Sequence, residues 1–331
     1  MDGVNSRRSW AIFMLVCTTA AWGVSFPATK ALMLALERQL PGHNSWFWPA
    51  LVESARFGIS ALVLACAMPR ECWHIQPAEW RQGALLGITG GLGMFLQGDA
   101  LRHTHASSVA FLTQFTCVLV PLAIFLCTRI APSAFKLACI GLVIAGVAVL
   151  ARVDWRAFRL GRGELETLIG TTFFTVQILA LESPAFRENH MRRVSLVMFS
   201  VIALLFLPAF LAESIRGTDV LALVSPLPNF AVLLLLSLVS SLLAFLLMND
   251  WQPRVDATTA AIIYCMEPVF ATLFALWLPT VLSAFLGINY GNENVTAHLL
   301  IGGALITIAN LVLAFQPQIH AASETTDSST T

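Results

Sequence analysis

Ala257-Thr-Thr-Ala-Ala-Ile-Ile-Tyr-Cys-Met-Glu267-Pro268-Val269 is an apolar run interrupted by one carboxylate and one proline. A run of this length and hydropathy belongs in a bilayer, where a helix needs about 20 apolar residues to cross. An earlier segment, Ala106 to Leu122, follows the same plan: the hydroxyl residues Ser107 and Ser108, then Val-Ala-Phe-Leu, then Pro121 beside Leu122. Shifting the chain by 151 positions aligns Asp99 with Asp250, Ala106 with Ala257, Ser107 and Ser108 with Thr258 and Thr259, and Ala110 with Ala261. The two prolines then fall four residues out of register, which reads as an extra turn before Pro121. A shift of 163 aligns the ends of the halves, Cys139 with Gly302, Leu142 with Leu305 and Gly146 with Ala309.

Composition agrees with a membrane location. The chain has 331 residues, 57% hydrophobic and 11% charged, where globular proteins carry about 25% charged residues. Lys+Arg and Asp+Glu are equal at 19 each, so no net charge draws the chain to nucleic acid. The seven cysteines lie mostly in apolar runs without a CxxC spacing, and read as small hydrophobic thiols. No HExxH, GxSxG or GxxxxGK[ST] motif occurs, so neither an enzyme nor a nucleotide-driven pump is expected, and no cofactor.

Ten runs are long enough to span: Trp10 to Leu36, Pro49 to Met68, Gly83 to Leu101, Ser107 to Cys127, Phe135 to Ala151, Leu165 to Leu181, Ser195 to Leu211, Phe230 to Met248, Thr258 to Pro279 and Leu299 to Phe315. The fold expected is therefore an all-α membrane protein of ten transmembrane helices. Five spans per repeat is an odd number, so the two repeats are expected to be inverted relative to each other. Their limits are residues 10–152 and 164–316, with a cytoplasmic N-terminus over residues 1–9, a connecting loop over 153–163 and a disordered C-terminal tail over 317–331. Counting Lys and Arg with the N-terminus inside gives ten in the inner loops (Arg7, Arg8, Arg70, Arg81, Arg129, Lys136, Arg187, Arg192, Arg193, Arg254). The outer loops hold seven (Arg38, Arg102, Arg152, Arg156, Arg159, Arg162, Arg216). The bias puts both termini in the cytoplasm.

Several motifs carry a family likeness. They are Trp22-Gly23-x-Ser25-Phe26-Pro27-x-x-Lys30, Arg56-Phe57, Ala100-Leu101-Arg102-His103-Thr104-x-Ala106-Ser107 running into Val120-Pro121-Leu122, Glu267-Pro268-Val269, and Glu293-x-x-Thr296 followed by Ile301-Gly302-Gly303-x-Leu305-Ile306. In this order they resemble the EamA-type transporters of the drug/metabolite transporter superfamily, over about residues 10 to 316. The resemblance implies a multi-pass protein of a bacterial inner (plasma) membrane and is silent on substrate. One position departs from it: where a Glu matching Glu293 would stand in the first half, Ile130 follows Arg129.

Charges inside a bilayer cost about 2.5–3.5 kcal/mol each on insertion scales, so each one invites a functional reading. Glu267 lies nine residues into its span, about 14 Å deep at 1.5 Å per residue. Pro268 cannot donate to the carbonyl of Tyr264, so the carboxylate sits beside an unpaired acceptor. That makes Glu267 the coupling candidate, for a proton or cation, unless it only shapes a helix break. Arg56 is about 10 Å into span two, and Glu53 stands at the i, i+3 spacing of an ion pair. The pair either cancels its own charge or presents Arg56 to an anionic group; Glu53 is placed near the far end from Glu267. Lys30 is either a snorkelling anchor or turned inward by Pro27. Trp22, Ser25 and Phe26 offer a mixed aromatic and polar face, and Gln97, Gln114, Gln177 and Tyr264 are polar residues in apolar spans, as is Thr113. Asp99 and Asp250 are placed at the membrane surface.

The function expected is secondary transport of a small amphipathic metabolite, amino acid-like or drug-like, by alternating access around a cavity lined by spans one, two, three, four, six and nine. Export is the expected direction, coupled to protons or to exchange. The alternatives are a non-transporting scaffold or sensor and a channel-like facilitator. The partners expected are the lipid bilayer, the small-molecule substrate and protons.

Overall fold

The computed structural model describes residues 2–42, 46–103, 109, 112–150, 161–215 and 220–314. Most of the repeated Ala106–Ala110 segment, residues 151–160 of the central connection and the C-terminal tail lie outside the described residues. Described elements are all helical. They are α1 (Asp2–Gln39), α2 (Phe47–Ala67), α3 (Pro77–His103), α4 (Thr116–Thr128), α5 (Ala134–Leu150), α6 (Arg162–Glu182) and α7 (Met191–Ile215). After a short α8 (Val220–Val224) come α9 (Leu227–Leu235), a π-helical segment (Leu236–Leu243) and α10 (Ala244–Trp251), then α11 (Ala257–Tyr264), α12 (Glu267–Ala275), α13 (Leu278–Leu286) and α14 (Ala297–Ala314). Helices are the expected outcome in lipid, because each satisfies its backbone hydrogen bonds internally.

Six helical stretches among the described residues are long and apolar enough to cross a membrane: Arg8–Gln39, Phe47–Ala67, Arg162–Glu182, Met191–Ala209, Leu227–Arg254 and Ala257–Ala275. Shorter apolar helices cover Thr116–Thr128, Ala134–Val149 and Leu300–Val312. The helix expected from Trp10 begins at Asp2, and Pro27 lies inside it without ending it. The span expected from Thr258 to Pro279, with Pro268 interrupting it, consists of three helices, α11, α12 and α13, continuing to Leu286. Pro268 accounts for the first interruption, since it cannot continue the i to i−4 ladder.

At that interruption the backbone tightens to i to i−3 bonds, from Cys265 N to Ile262 O at 3.1 Å and Met266 N to Ile263 O at 2.9 Å. The helix before α4 does the same, with Phe115 N to Leu112 O at 3.1 Å, Cys117 N to Gln114 O at 3.0 Å and Val118 N to Phe115 O at 2.9 Å. Pro121 is not the cause there, because α4 runs through it. The register of the two interruptions therefore follows the 151 shift, with Thr116 opening α4 and Glu267 opening α12. The offset between the prolines is local to α4.

Helices pair across the chain's midpoint. α3 packs along α6 and α7, α2 along α7, α5 along α14, and α1 along α10, the π-helical segment and α12. Close approach needs small residues. A Cβ on Gly23 would meet Phe270 Cβ at 2.7 Å and Ala271 N at 2.8 Å, so α1 reaches the backbone of α12 only because position 23 is bare.

Polar contacts hold both ends of the bundle. At one end Asp99, fully buried, accepts at Oδ2 from Trp46 Nε1 at 2.7 Å and Arg162 Nη2 at 2.6 Å, with His103 Nε2 at 3.4 Å. Arg162 also bonds Glu166 at 2.7 Å. Asp99 thus stands at one end of the bundle with its side chain buried, because the start of α6 brings it a guanidinium. At the other end Lys136 Nζ meets Asp256 Oδ1 at 2.5 Å, and Arg193 lies 3.6 Å from Glu79. Asp256 caps α11 by accepting from Thr259 N at 3.0 Å and Thr259 Oγ1 at 2.6 Å. Burial pushes the Asp256 carboxyl up, but Lys136 and the Thr259 bonds outweigh it and hold the group below its ordinary value.

Candidate functional site

Helical periodicity places a polar and aromatic stripe from each of several helices against one internal cavity. From α1 come Trp22, Ser25, Phe26 and Thr29, at i, i+3, i+4 and i+7. α2 contributes Glu53 and Arg56, one turn apart, and α3 contributes Met94, Gln97 and Gly98. Thr113, Gln114 and Thr116 come from the interruption before α4, Phe174, Gln177 and Ile178 from α6, and Phe245 and Met248 from α10. Tyr264 ends α11 and Glu267 begins α12. The cavity has a volume of about 110 Å³. One water needs about 10–15 Å³ on the same measure, so there is room for several waters or a small metabolite.

Several polar groups on the wall are oriented by neighbours. Arg56 Nε donates to Ser241 Oγ at 2.7 Å, and Nη1 lies 3.2 Å from Glu53 Oε1. Ser241 belongs to the π-helical segment, and Ser60 Oγ, one turn along α2 from Arg56, reaches Ser237 O of the same segment at 2.9 Å. Arg56 and Glu53 are 4% and 5% exposed, so this ion pair is buried. Glu53 Oε2 has no hydrogen-bond partner among the described residues, and neither does Trp22 Nε1. Gln97 Nε2 donates to Thr113 Oγ1 at 2.9 Å. The Tyr264 hydroxyl donates to Gln252 Oε1 at 2.8 Å, and Gln252 Nε2 donates to Ile178 O at 2.7 Å, tying α11 to α6. The Trp22 ring lies 5.4 Å from those of Phe245 and Tyr264. Gln177 packs over Gly90, where a Cβ would sit 2.4 Å from its Nε2.

Glu267 is only partly buried because its carboxylate faces the cavity. The Gln114 side chain hydrogen-bonds it across the crossing of the two interrupted helices. Cys265 Sγ stands beside the Cys117 side chain there, and both thiols are fully buried.

Of the residues singled out in the sequence, Trp22, Ser25, Phe26, Arg56, Gln97, Gln114, Gln177, Tyr264 and Glu267 line this one cavity. Lys30 does not: it is exposed, with Nζ 5.4 Å from the ring centroid of Tyr290, which lies in the segment after α13. Glu53, placed near the far end from Glu267 by span counting, lines the same cavity. The eighth apolar run also contributes, through Phe245 and Met248. Nothing polar marks those two positions, so only packing could reveal them.

Among the described residues the fold and site define a helical, integral multi-pass membrane protein with a cavity among its helices, lined mainly by apolar and aromatic side chains with a few polar ones. Residues 9–152 match the model of the EamA-like transporter family, which is the family whose motifs were read in the sequence. No curated protein matches the chain. One solved crystal structure superposes with a TM-score of 0.64 at 16% identity, covering 92% of this chain and 96% of its own. At that identity the likeness is one of fold.

Proposed function

We propose that this protein is a secondary transporter that moves a small amphipathic metabolite across the membrane by alternating access. The observation that carries the reading is the cavity at the crossing of two interrupted helices, whose wall combines aromatic faces with two carboxyl side chains, Glu53 and Glu267, and one guanidinium, Arg56. Enclosed sites lined mainly by apolar and aromatic groups, with a few convergent polar ones, are the usual form of small-molecule sites. Discontinuous helices meeting at such a site are the pattern of carriers built from inverted repeats.

In this reading residues 10–152 and 164–316 are two five-helix repeats, ten spans in all, inverted relative to each other. Support comes from the equivalent interruptions at Gln114–Phe115 and Cys265–Met266, and from helix pairing across the midpoint. The repeats would rock about the cavity and expose it to one side at a time. Glu267 carries the coupling step, by proton binding or by exchange, and the direction is export from a bacterial cytoplasm across the inner membrane with both termini inside.

Counterflow in vesicles containing the purified protein tests this. A preloaded substrate should drive saturable uptake of its labelled form against a gradient. Uptake that rises linearly with concentration would point instead to a channel-like facilitator, and no protein-dependent uptake of any amphipathic metabolite would point to a scaffold or sensor.

A further inference from the structure

Outside the cavity, two carboxyl groups from opposite halves of the chain meet at one end of the bundle. Asp99 is fully buried near the end of α3, and Glu166, 9% exposed, stands one turn into α6. Their side chains lie within hydrogen-bond reach of each other. Arg162 holds both, with Nη2 2.6 Å from Asp99 Oδ2 and Nε 2.7 Å from Glu166 Oε1. Each acid keeps its other oxygen, Asp99 Oδ1 and Glu166 Oε2, buried with no hydrogen-bond partner among the described residues. If both were ionised, one guanidinium would face two negative charges, and the two orphaned acceptors would have no donor between them. Buried acceptors without a donor are costly, and two carboxylates in one site resist ionising together.

We infer that Asp99 and Glu166 form a proton-binding site, outside the cavity lining, that pins the start of α6 to the end of α3. One proton on the pair supplies the missing donor and leaves a single negative charge, which Arg162 balances. The inference does not depend on the transporter reading. Neither acid lines the cavity, but Asp99 directly follows Gly98, which does, so loosening the pin reaches the cavity wall through α3. The Arg162 and His103 side chains are 50% and 30% exposed, so the pair lies one side chain from water and protons can reach it from that end. Other titratable groups described beside the pair are on the same two helices. His103 Nε2 lies 3.4 Å from Asp99 Oδ2, and Glu164 turns away to accept from Gly161 N at 2.9 Å. From the α2 and α7 side of α3, the side chains described at this level are aromatic: Trp46 donates to Asp99 at 2.7 Å, and Phe206 stacks on Phe95 at 5.0 Å. With the proton bound the pin is complete. As pH rises and the proton leaves, two carboxylates oppose each other and the start of α6 loosens.

The test is made on the full-length protein in detergent from about pH 5 to about pH 9, by infrared spectroscopy and by amide hydrogen exchange. A protonated carboxyl group has a carbonyl band apart from those of carboxylates, and its loss as pH rises reports the site. Glu166→Gln replaces the proton by an amide donor that stays at every pH, and Asp99→Asn leaves Glu166 as the one carboxylate of the pair on Arg162. Both variants should lose the pH-dependent band of one carboxyl group. Exchange over residues 162–170, corrected for the intrinsic effect of pH, should speed up at least about tenfold across the range in the wild type and change by less than about threefold in Glu166→Gln. His103→Gln should keep the wild-type behaviour in both measurements. An infrared titration that is the same in the wild type and in whichever acid variant folds would overturn the inference. So would exchange over these residues that ignores pH in the wild type or still responds to it in Glu166→Gln. Loss of the response in His103→Gln would overturn it as well, by placing the proton on the imidazole.

Discussion

Cys265 Sγ lies 4.0 Å from the carbonyl oxygen of Gln114, and these two residues stand 151 positions apart in the chain. Each sits at the interruption of its helix, so the contact marks where the two halves cross. Three positions beyond Gln114, the Cys117 side chain meets Cys265 in the same place. Oxidation of the pair by iodine, which enters bilayers, should therefore join the two helices: two thiols lose their protons and two electrons to iodine and form one S–S bond. Titration of thiols in denaturant should show two fewer than the seven of the untreated chain. Vesicle flux should stop and return on reduction, and Cys117→Ala should be insensitive.

Glu267 is expected to be dispensable for folding and required for coupling. Glu267→Gln removes an ionisable group from a buried site with no cation at its side among the described residues, so the melting temperature should stay unchanged or rise. Flux driven by a pH gradient should be lost in the variant while exchange of substrate for substrate persists. Retention of gradient-driven flux would remove Glu267 from the coupling step.

The Glu53–Arg56 pair should behave as one unit. Arg56→Met leaves a buried carboxylate alone and should destabilise by about 3–5 kcal/mol. Adding Glu53→Gln to that variant should recover most of the loss, because no buried charge then remains. A double-mutant cycle by thermal unfolding reads the coupling, and additive losses would contradict the pairing.

Asp256 gives a pH dependence outside the bilayer. Its carboxyl is held below the ordinary value of about 3.9 by Lys136 and Thr259, so its stabilising contribution is complete above the unfolded-state value. That contribution falls away as pH drops through the lower folded value. Asp256→Ala should cost about 0.5–2 kcal/mol at neutral pH through loss of the cap on α11. The difference between wild type and variant should shrink below about pH 4, which melting curves across pH would show.

Gly23 sets the approach of α1 to α12. Gly23→Ala places a Cβ 2.7 Å from Phe270 Cβ and 2.8 Å from Ala271 N, and should destabilise by about 1–3 kcal/mol. Since Trp22, Ser25 and Phe26 ride on the same helix, substrate affinity should fall with it.

Much of this was legible in the sequence because lipid simplifies the problem. Apolar length alone marks the helices, and a polar residue within one invites a reason for being there. That logic picked out Arg56, Gln97, Gln114, Gln177 and Glu267, which the folded chain brings to one cavity. It misplaced Glu53 because depth counted along one helix ignores how helices tilt and shift against each other. It left the inward and outward readings of Lys30 both open, since an amphipathic side chain at a helix end can go either way, and packing against Tyr290 places it outside.

Sequence by itself determined the all-helical membrane class, the EamA resemblance and the 151-residue echo between the halves, since each depends on hydropathy and residue order along the chain. Tertiary structure decided that Thr116 and Glu267 open equivalent helices at one crossing and that the Asp99 side chain is buried. It also decided that Glu267 faces the cavity with Gln114, and no cation among the described residues, beside it. Charge balance in a buried site is a property of neighbours brought together from distant positions, and only their packing fixes it.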